Sequence, residues 1–189
     1  VGALNAVTDD LTFMDDDDTI RVHKTNYSVL SVRRDLFSKS NVGVMFVNKQ
    51  IDDPIEGWDR YNRAAGVDFN YSSTRNLNFQ AFSAATWDSE IGDTDAAHFA
   101  SMNFRGTKYW ARLKYLEVEN NFEPAVGFVN RRNGLEGFRR YDLYMRWRPR
   151  PNVHGIRYMS IGPEAQVITD RDNNVKYWVA EWSWFTAMN

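Results

Sequence analysis

Aspartates near the start of the chain are the first side chains with potential for chemistry. Asp15, Asp16, Asp17 and Asp18 form an unbroken run, and the run lies in a predicted long loop. Several carboxylate oxygens close together can coordinate Ca²⁺. The run lacks the alternating ligand spacing and the glycine turn of an EF-hand, and Asp9 and Asp10 upstream do not supply them. We therefore favour a solvated acidic loop over a calcium site.

A second group of carboxylates could serve a hydrolase. Glycoside hydrolysis uses a pair of carboxyl groups, and barrel-borne hydrolases carry catalytic residues on their outer loops. The loop candidates are Asp52, Asp53, Asp59, Asp93 and Asp95. Any hydrophilic loop would carry such residues, so an enzyme is the less favoured interpretation.

Other catalytic patterns are missing from the sequence. His23, His98 and His154 are far apart and form no metal-binding motif, and the chain has no glycine-rich phosphate loop and no Gly-x-Ser-x-Gly elbow. We therefore predict no catalytic residue, no metal ligand and no cofactor.

Composition excludes several classes of protein. The chain has 189 residues, no cysteine and a net charge of −2. Disulfide frameworks and cysteine-based zinc sites are excluded, and no global positive charge favours nucleic acid. The longest apolar run, 42–47, is about six residues, whereas a membrane-spanning helix needs roughly 20. A transmembrane β-barrel stays compatible, because its strands need apolar residues only at alternate positions.

Period-two alternation is the main structural signal. The clearest case is Tyr141, Leu143, Met145 and Trp147 alternating with polar neighbours. We predict an all-β fold, an antiparallel up-and-down meander of about ten long strands that is part of a transmembrane β-barrel, with residues 1–189 as one incomplete barrel domain.

The alternation assigns side chains to two surfaces of such a barrel. The predicted lumen-facing residues are Asp68, Arg112, Lys114, Arg140, Asp142, Arg146 and Glu181. The predicted lipid-facing residues are Val67, Phe69, Leu113, Leu143 and Met145. On this assignment, exchange of Arg146 for leucine should be milder than a charge placed at Leu143.

Connections and aromatic residues follow the same scheme. Long links (9–26, 49–62, 89–95, 120–137 and 169–174) alternate with short ones (35–40, 73–75, 106–107 and 149–152). Outer-membrane barrels have short turns at one end and long loops at the other. Tyr71, Tyr109, Trp110 and Trp147 lie near the short turns and are predicted to form an interfacial aromatic girdle. The apolar segment 122–134 is predicted either to fold inward as a plug or to extend a strand above the membrane.

Both ends of the sequence lie in predicted strands. Residues 1–8 lack the basic start and the long apolar core of a signal peptide, and the chain stops within the strand that contains Trp184. We interpret the chain as a fragment of a longer protein.

Several segments resemble a known family. They are GALNA at 2–6, YSVLSVRRDL at 27–36, SNVGVMF at 40–46, YNRAAGVDF at 61–69, NFEPAVGFV at 121–129 and RRY at 139–141. Together they resemble domain-of-unknown-function family 5916, the C-terminal part of bacterial surface proteins that usually carry a carbohydrate-binding module similar to family 9. The resemblance implies an outer-membrane-type β-barrel of undefined activity and supplies no catalytic residues. The carbohydrate-binding module is not in this chain.

The leading expectation is therefore an integral barrel of the bacterial outer membrane with a structural or transport role. Its expected partners are outer-membrane lipid and, through the missing module, polysaccharide. One alternative is a soluble β-sandwich that binds carbohydrate through Trp178, Trp182 and Trp184. Another is the barrel-borne hydrolase.

Overall fold

The computed structural model describes residues 1–15, 18–53, 58–73, 76–125, 137–151, 153 and 155–188. Strands dominate these residues, and no helix among them has the length and apolar character needed to cross a membrane. The strands are β1 (Gly2–Thr8), β2 (Leu11–Asp15), β3 (Asp18–Val22), β4 (Thr25–Leu36), β5 (Ser40–Asp53), β6 (Trp58–Ser72), β7 (Leu77–Asp88), β8 (Thr94–Arg105), β9 (Tyr109–Val118), β10 (Phe138–Trp147), β11 (Ile156–Thr169) and β12 (Val175–Met188).

Ten of the strands form one antiparallel sheet in the order β1-β4-β5-β6-β7-β8-β9-β10-β11-β12. Strands β2 and β3 form a separate hairpin between the first two strands of the sheet. The predicted all-β meander of about ten strands is confirmed. Within the described residues, β1 and β12 each pair on one side only, so the sheet is open.

Cross-strand register gives the sheet two chemically different faces. One row of paired residues is apolar or aromatic throughout: Val42, Phe69, Ala81, Ala100, Tyr115, Tyr141, Val167 and Trp178. The adjacent row is polar until its last member: Asn41, Asn70, Gln80, Ser101, Lys114, Asp142, Gln166 and Val179. Because successive side chains point to opposite sides of a strand, the first row defines what we call the apolar face and the second the polar face.

Exposure of the two faces is the reverse of that in a soluble sheet. Large apolar side chains of the apolar face are open, and Val67 and Trp182 are 53% and 71% exposed. On the polar face, Ser101 and Arg146 are each only 8% exposed. Side chains on the inner side of a curved sheet converge and shield one another, so these exposures indicate a sheet that curves toward its polar face.

Connections differ from the predicted lengths at several places. The predicted loop 49–62 is wrong in extent, because β5 and β6 stay paired from Lys49 opposite Asn62 to Asp53 opposite Trp58. The predicted loop 9–26 contains the β2–β3 hairpin. The predicted short turn 149–152 corresponds to a longer link between Trp147 and Ile156. In the first two regions, residues predicted to form loops are strands instead, because they pair with a neighbouring strand.

Candidate functional site: the polar face of the sheet

All seven predicted lumen-facing residues lie on the polar face. Register places Lys114 opposite Asp142, and Arg112 opposite Tyr144. Tyr144 in turn pairs with Glu164, and Glu164 with Glu181. The charged residues of β9 to β12 therefore form one patch, whereas Asp68 lies four strands from the centre of that patch.

Asp142 holds the centre of the patch. Its Oδ1 atom accepts hydrogen bonds from Arg140 Nε at 3.0 Å and from Gln166 Nε2 at 2.7 Å. The Arg140 pair is partly shielded from solvent, since the two side chains are about one-third exposed or less. The negative charge of Asp142 is thus paired with Arg140, and its side chain is held in place. Lys114 lies directly opposite on β9 and is not within ion-pair distance of Asp142.

The guanidinium group of Arg146 is hydrogen-bonded to three backbone carbonyl oxygens. Its Nη1 atom donates to the carbonyl oxygens of Met145 at 2.9 Å, Gly162 at 3.1 Å and Pro163 at 3.0 Å. Its Nη2 atom lies 3.3 Å from Glu164 Oε2. The backbone at position 162 lies so close to the Met145 carbonyl group that a Cβ atom would overlap it, and this position therefore requires glycine.

Aromatic rings separate the arginines of this patch. The Arg146 and Arg112 guanidinium carbons lie 4.0 and 5.2 Å from the Tyr144 ring centroid. The Trp110 ring meets Tyr144 edge-on at 4.7 Å, and Arg105 lies over Trp110 at 4.5 Å. Cation–π contacts of this kind attract each guanidinium group to the face of a ring.

Trp110 does not share a face with the other three residues of the predicted aromatic girdle. It lies on the polar face, and its Nε1 donates to Asn103 Oδ1 at 3.0 Å. The other three predicted girdle residues, Tyr71, Tyr109 and Trp147, lie on the apolar face, where Trp147 pairs with Tyr109. Adjacent residues of a strand point to opposite faces, so Tyr109 and Trp110 could not share one surface.

The five predicted lipid-facing residues all lie on the apolar face. Leu113 pairs with Leu143, and Val67 and Phe69 lie two residues apart on β6, which puts them on the same face. Leu113 and Met145 are 45% and 46% exposed. On β9 and β10 the apolar residues end at an ion pair on the same face, in which Arg139 Nε lies 2.9 Å from Glu117 Oε1. Whether these faces meet lipid and lumen stays a prediction.

Asp68 pairs with Arg33 across an intervening strand. Arg33 Nη2 lies 3.1 Å from Asp68 Oδ1, although the two residues belong to β4 and β6. Gly43 of β5 lies between them in the register. The absence of a side chain at Gly43 opens the path, because a Cβ atom there would overlap the Asp68 carboxylate.

A short segment after β9, residues 119–125, crosses the polar face; we call it the strap. Phe122 is buried and packs in a cluster with Ala97, Val118, Phe138 and Ile168. Farther along, Asn62 Nδ2 donates to the Glu123 carbonyl oxygen and the Ala125 N–H donates to Asn62 Oδ1, each at 2.9 Å. The described start of the predicted plug segment thus folds over the polar face, and residues 126–134 lie outside the described part.

The carboxylates considered for hydrolysis are not assembled into a site by the described residues. Asp95 is buried, and its Oδ1 accepts from the Asn121 N–H at 3.1 Å, which anchors the strap. Asp93 is exposed. The side chains of Asp52, Asp53 and Asp59 lie outside the described part. In the described chain, no three His, Asp or Glu residues form a metal-binding group.

The acidic run considered for calcium is described only in part. Asp16 and Asp17 lie outside the described residues, as do the side chains of Asp15 and Asp18. Asp10 connects the two ends of the β2–β3 hairpin, since its Oδ1 accepts from the Lys24 N–H at 2.8 Å.

Sequence reasoning missed the neutral members of the patch. Tyr144, Gln166 and Asn103 link the charged residues, and Asn62 holds the strap. The alternation in β10 indicated the face of Tyr144. No sequence signal identified Gln166, Asn103 or Asn62 as members of the patch or holders of the strap, since their partners lie on other elements.

Comparison with family models, with curated proteins and with solved structures finds no match to this chain.

Proposed function

We propose that the chain is part of an integral β-barrel of the bacterial outer membrane, with a structural or transport role. The resemblance to domain-of-unknown-function family 5916 leads to the same proposal. In the whole protein, a carbohydrate-binding module outside this chain would connect the barrel to polysaccharide.

The reversed exposure of the two faces carries this proposal. Soluble monomers rarely leave apolar patches larger than a few hundred Å² open to water. Here exposed apolar side chains follow one face across the sheet, from Val44 on β5 to Trp184 on β12. A lipid environment would remove that cost, and the hydrogen-bonded polar side chains would then line the interior.

The strand arrangement supports closure. In a ten-strand antiparallel meander the first and last strands run in opposite directions, so β1 and β12 have the orientation that an even-numbered barrel needs. Strands β4 to β12 have 10–15 residues each, which matches the roughly 9–11 residues of a tilted membrane strand or exceeds it.

Lipid contact of the apolar face can be tested by site-specific labelling. The chain has no cysteine, so Met145→Cys and Gln80→Cys each provide one labelling site, on opposite faces. We expect a dye at position 145 to be quenched by lipids with brominated acyl chains and a dye at position 80 to stay unquenched. Equal quenching at both positions, or none in protein refolded with vesicles, would contradict the membrane assignment.

A second candidate function rests on three tryptophans of β12. Trp178, Trp182 and Trp184 lie on one face of this edge strand, and each is about 70% exposed. Exposed indole rings can stack on sugars in a soluble carbohydrate-binding sandwich. A soluble protein whose tryptophan fluorescence changes with added polysaccharide would favour this candidate over the barrel.

A further inference from the structure

A cleft of about 210 Å³ lies on the polar face across β9 to β12. Arg112 and Lys114 of β9 line one side, and Glu164 of β11 and Glu181 of β12 line the other. The bottom is Asp142, which already binds Arg140 and Gln166. The cleft therefore has a positive wall, a neutralised floor and a negative wall.

The positive wall lacks counter-charges. Within the described residues, neither Arg112 nor Lys114 has a carboxylate partner within ion-pair distance. Arg112 Nε is shielded from solvent and has no hydrogen-bond partner in the described part of the chain. The Arg112 and Lys114 side chains are half-buried, and a shielded charge without a counter-charge is costly, so this wall is suited to an anionic group.

The negative wall has the opposite imbalance. Glu164 and Glu181 are direct cross-strand partners, and like charges in that position repel each other. Arg146 reaches Glu164 only at 3.3 Å, and the Glu164 side chain is half exposed. No ion pair of Glu181 is found among the described residues. A cation placed between the two carboxylates would relieve the repulsion.

We propose that this cleft binds a linear zwitterion, with its carboxylate at Arg112 and Lys114 and its ammonium group at Glu164 and Glu181. Arg112 and Glu181 lie in one cross-strand row, three strand spacings or roughly 14 Å apart at Cα. Their long side chains shorten the gap between the charges. A short peptide with free termini carries the two opposite end charges that the two walls would pair. The proposal goes beyond the barrel assignment, since it needs only the polar face.

The test uses triglycine, N-acetyl-triglycine and triglycinamide as probes. Calorimetry on the purified full chain should show that triglycine binds, and that each blocked form binds roughly tenfold more weakly, since each loses one charge-assisted contact. If the acetylated form binds as well as triglycine, the negative wall has no role and the proposal is overturned. Absence of triglycine binding to folded protein also overturns it.

Two variants separate the walls. Glu181→Gln should remove the preference for triglycine over the acetylated form and keep the preference over the amide. Arg112→Gln should remove the preference for triglycine over the amide and keep the preference over the acetylated form. Arg33→Gln serves as the matched control, because Arg33 lies on the same face in an exposed pair outside the cleft. If either variant loses both preferences, the two walls do not bind the two ends of the peptide separately, and the proposal is contradicted. Loss of both preferences in the control would contradict it too.

These outcomes are independent of the proposed function. Failure of lipid quenching at position 145 would reject the membrane barrel and leave the peptide titration unaffected. Failure of the titration with lipid quenching intact would reject only the zwitterion site.

Discussion

Two arginines of the polar face, Arg112 and Arg146, have the same sequence context and opposite structural roles. Both alternate with apolar residues in their strands, and both carry a guanidinium group that contacts Tyr144. Arg146 donates to three carbonyl oxygens, whereas Arg112 Nε has no partner in the described chain. Arg146 therefore has a structural role, whereas Arg112 is a residue of the proposed zwitterion site.

Arg146→Leu should therefore destabilise the protein, an effect that the sequence pattern alone did not indicate, since it predicted only a milder result than a charge placed at Leu143. The exchange leaves buried carbonyl oxygens without a donor, which should lower the free energy of unfolding by about 2–3 kcal/mol. Arg112→Leu is the matched control and should not lower it, because Arg112 Nε has no hydrogen-bond partner to lose in the described chain. Urea denaturation measures both, and equal midpoints would contradict the structural role of Arg146.

At the scale of elements, the strap joins two distant parts of the sheet. It leaves β9 and reaches Asn62 on β6, and Phe122 anchors it in the only cluster of buried apolar residues that the described chain forms on the polar face. The small side chains of Ala97 and Ala84 make room for the Phe122 ring.

Phe122→Ala should release the strap. Removal of a buried phenylalanine ring costs about 3 kcal/mol when the site cannot collapse. We expect faster hydrogen exchange of the Ala125 N–H, which donates to Asn62. Phe37→Ala is the control, since Phe37 is an 85% exposed turn residue. Unchanged exchange at Ala125 would show that Phe122 does not hold the strap.

The turn between β11 and β12 depends on Asp170. Hydrogen bonds from the Asn174 side chain at 2.9 Å and its backbone N–H at 2.8 Å, with Lys176 Nζ at 3.0 Å, lower the pKa of Asp170 from its usual 3.8 to about 2. A lowered folded-state pKa stabilises the turn above pH 3.8, and this contribution disappears as the pH falls toward 2.

We expect the carboxyl carbon of Asp170 to titrate near pH 2 in NMR, with amide protection of the turn retained at pH 4 and lost near pH 2. Asn174→Ala removes the main cause of the shift and should move the midpoint toward 3.8. A midpoint that stays near 2 in this variant would assign the shift to another group.

Across the whole sheet, the apolar face is largely exposed and the polar face is largely shielded. The two faces differ in what a new charge should do. Leu143 lies near the centre of the apolar stretch of β10, and Gln80 is an exposed residue of the polar face.

Leu143→Arg should cost about 2–4 kcal/mol of folding free energy in lipid, because the charge enters hydrocarbon near the midplane. Gln80→Arg adds the same charge on the other face and should be tolerated. Refolding into vesicles, followed by heat-modifiable gel mobility, measures the folded fraction. Equal yields of the two variants would place both faces in water.

Alternation along the chain predicted the ten-strand meander and the face of nearly every assigned residue, since a period of two is a local property of the chain. It missed the β2–β3 hairpin and the pairing of β5 with β6 within residues 49–62. Alternation placed all seven predicted lumen-facing residues on the polar face and all five predicted lipid-facing residues on the apolar face. The girdle prediction grouped Trp110 with Tyr109 because both lie near a turn, and the register puts them on opposite faces.

Contacts between side chains of different strands could be seen only in the assembled sheet. The gap that Gly43 leaves for Arg33 and Asp68, the carbonyl cradle of Arg146, and the Phe122 pocket each combine residues from two or more strands. Such contacts depend on cross-strand register, which the pattern within one strand does not specify. The opposed walls of the cleft arise in the same way, because four strands must align before Arg112 faces Glu181.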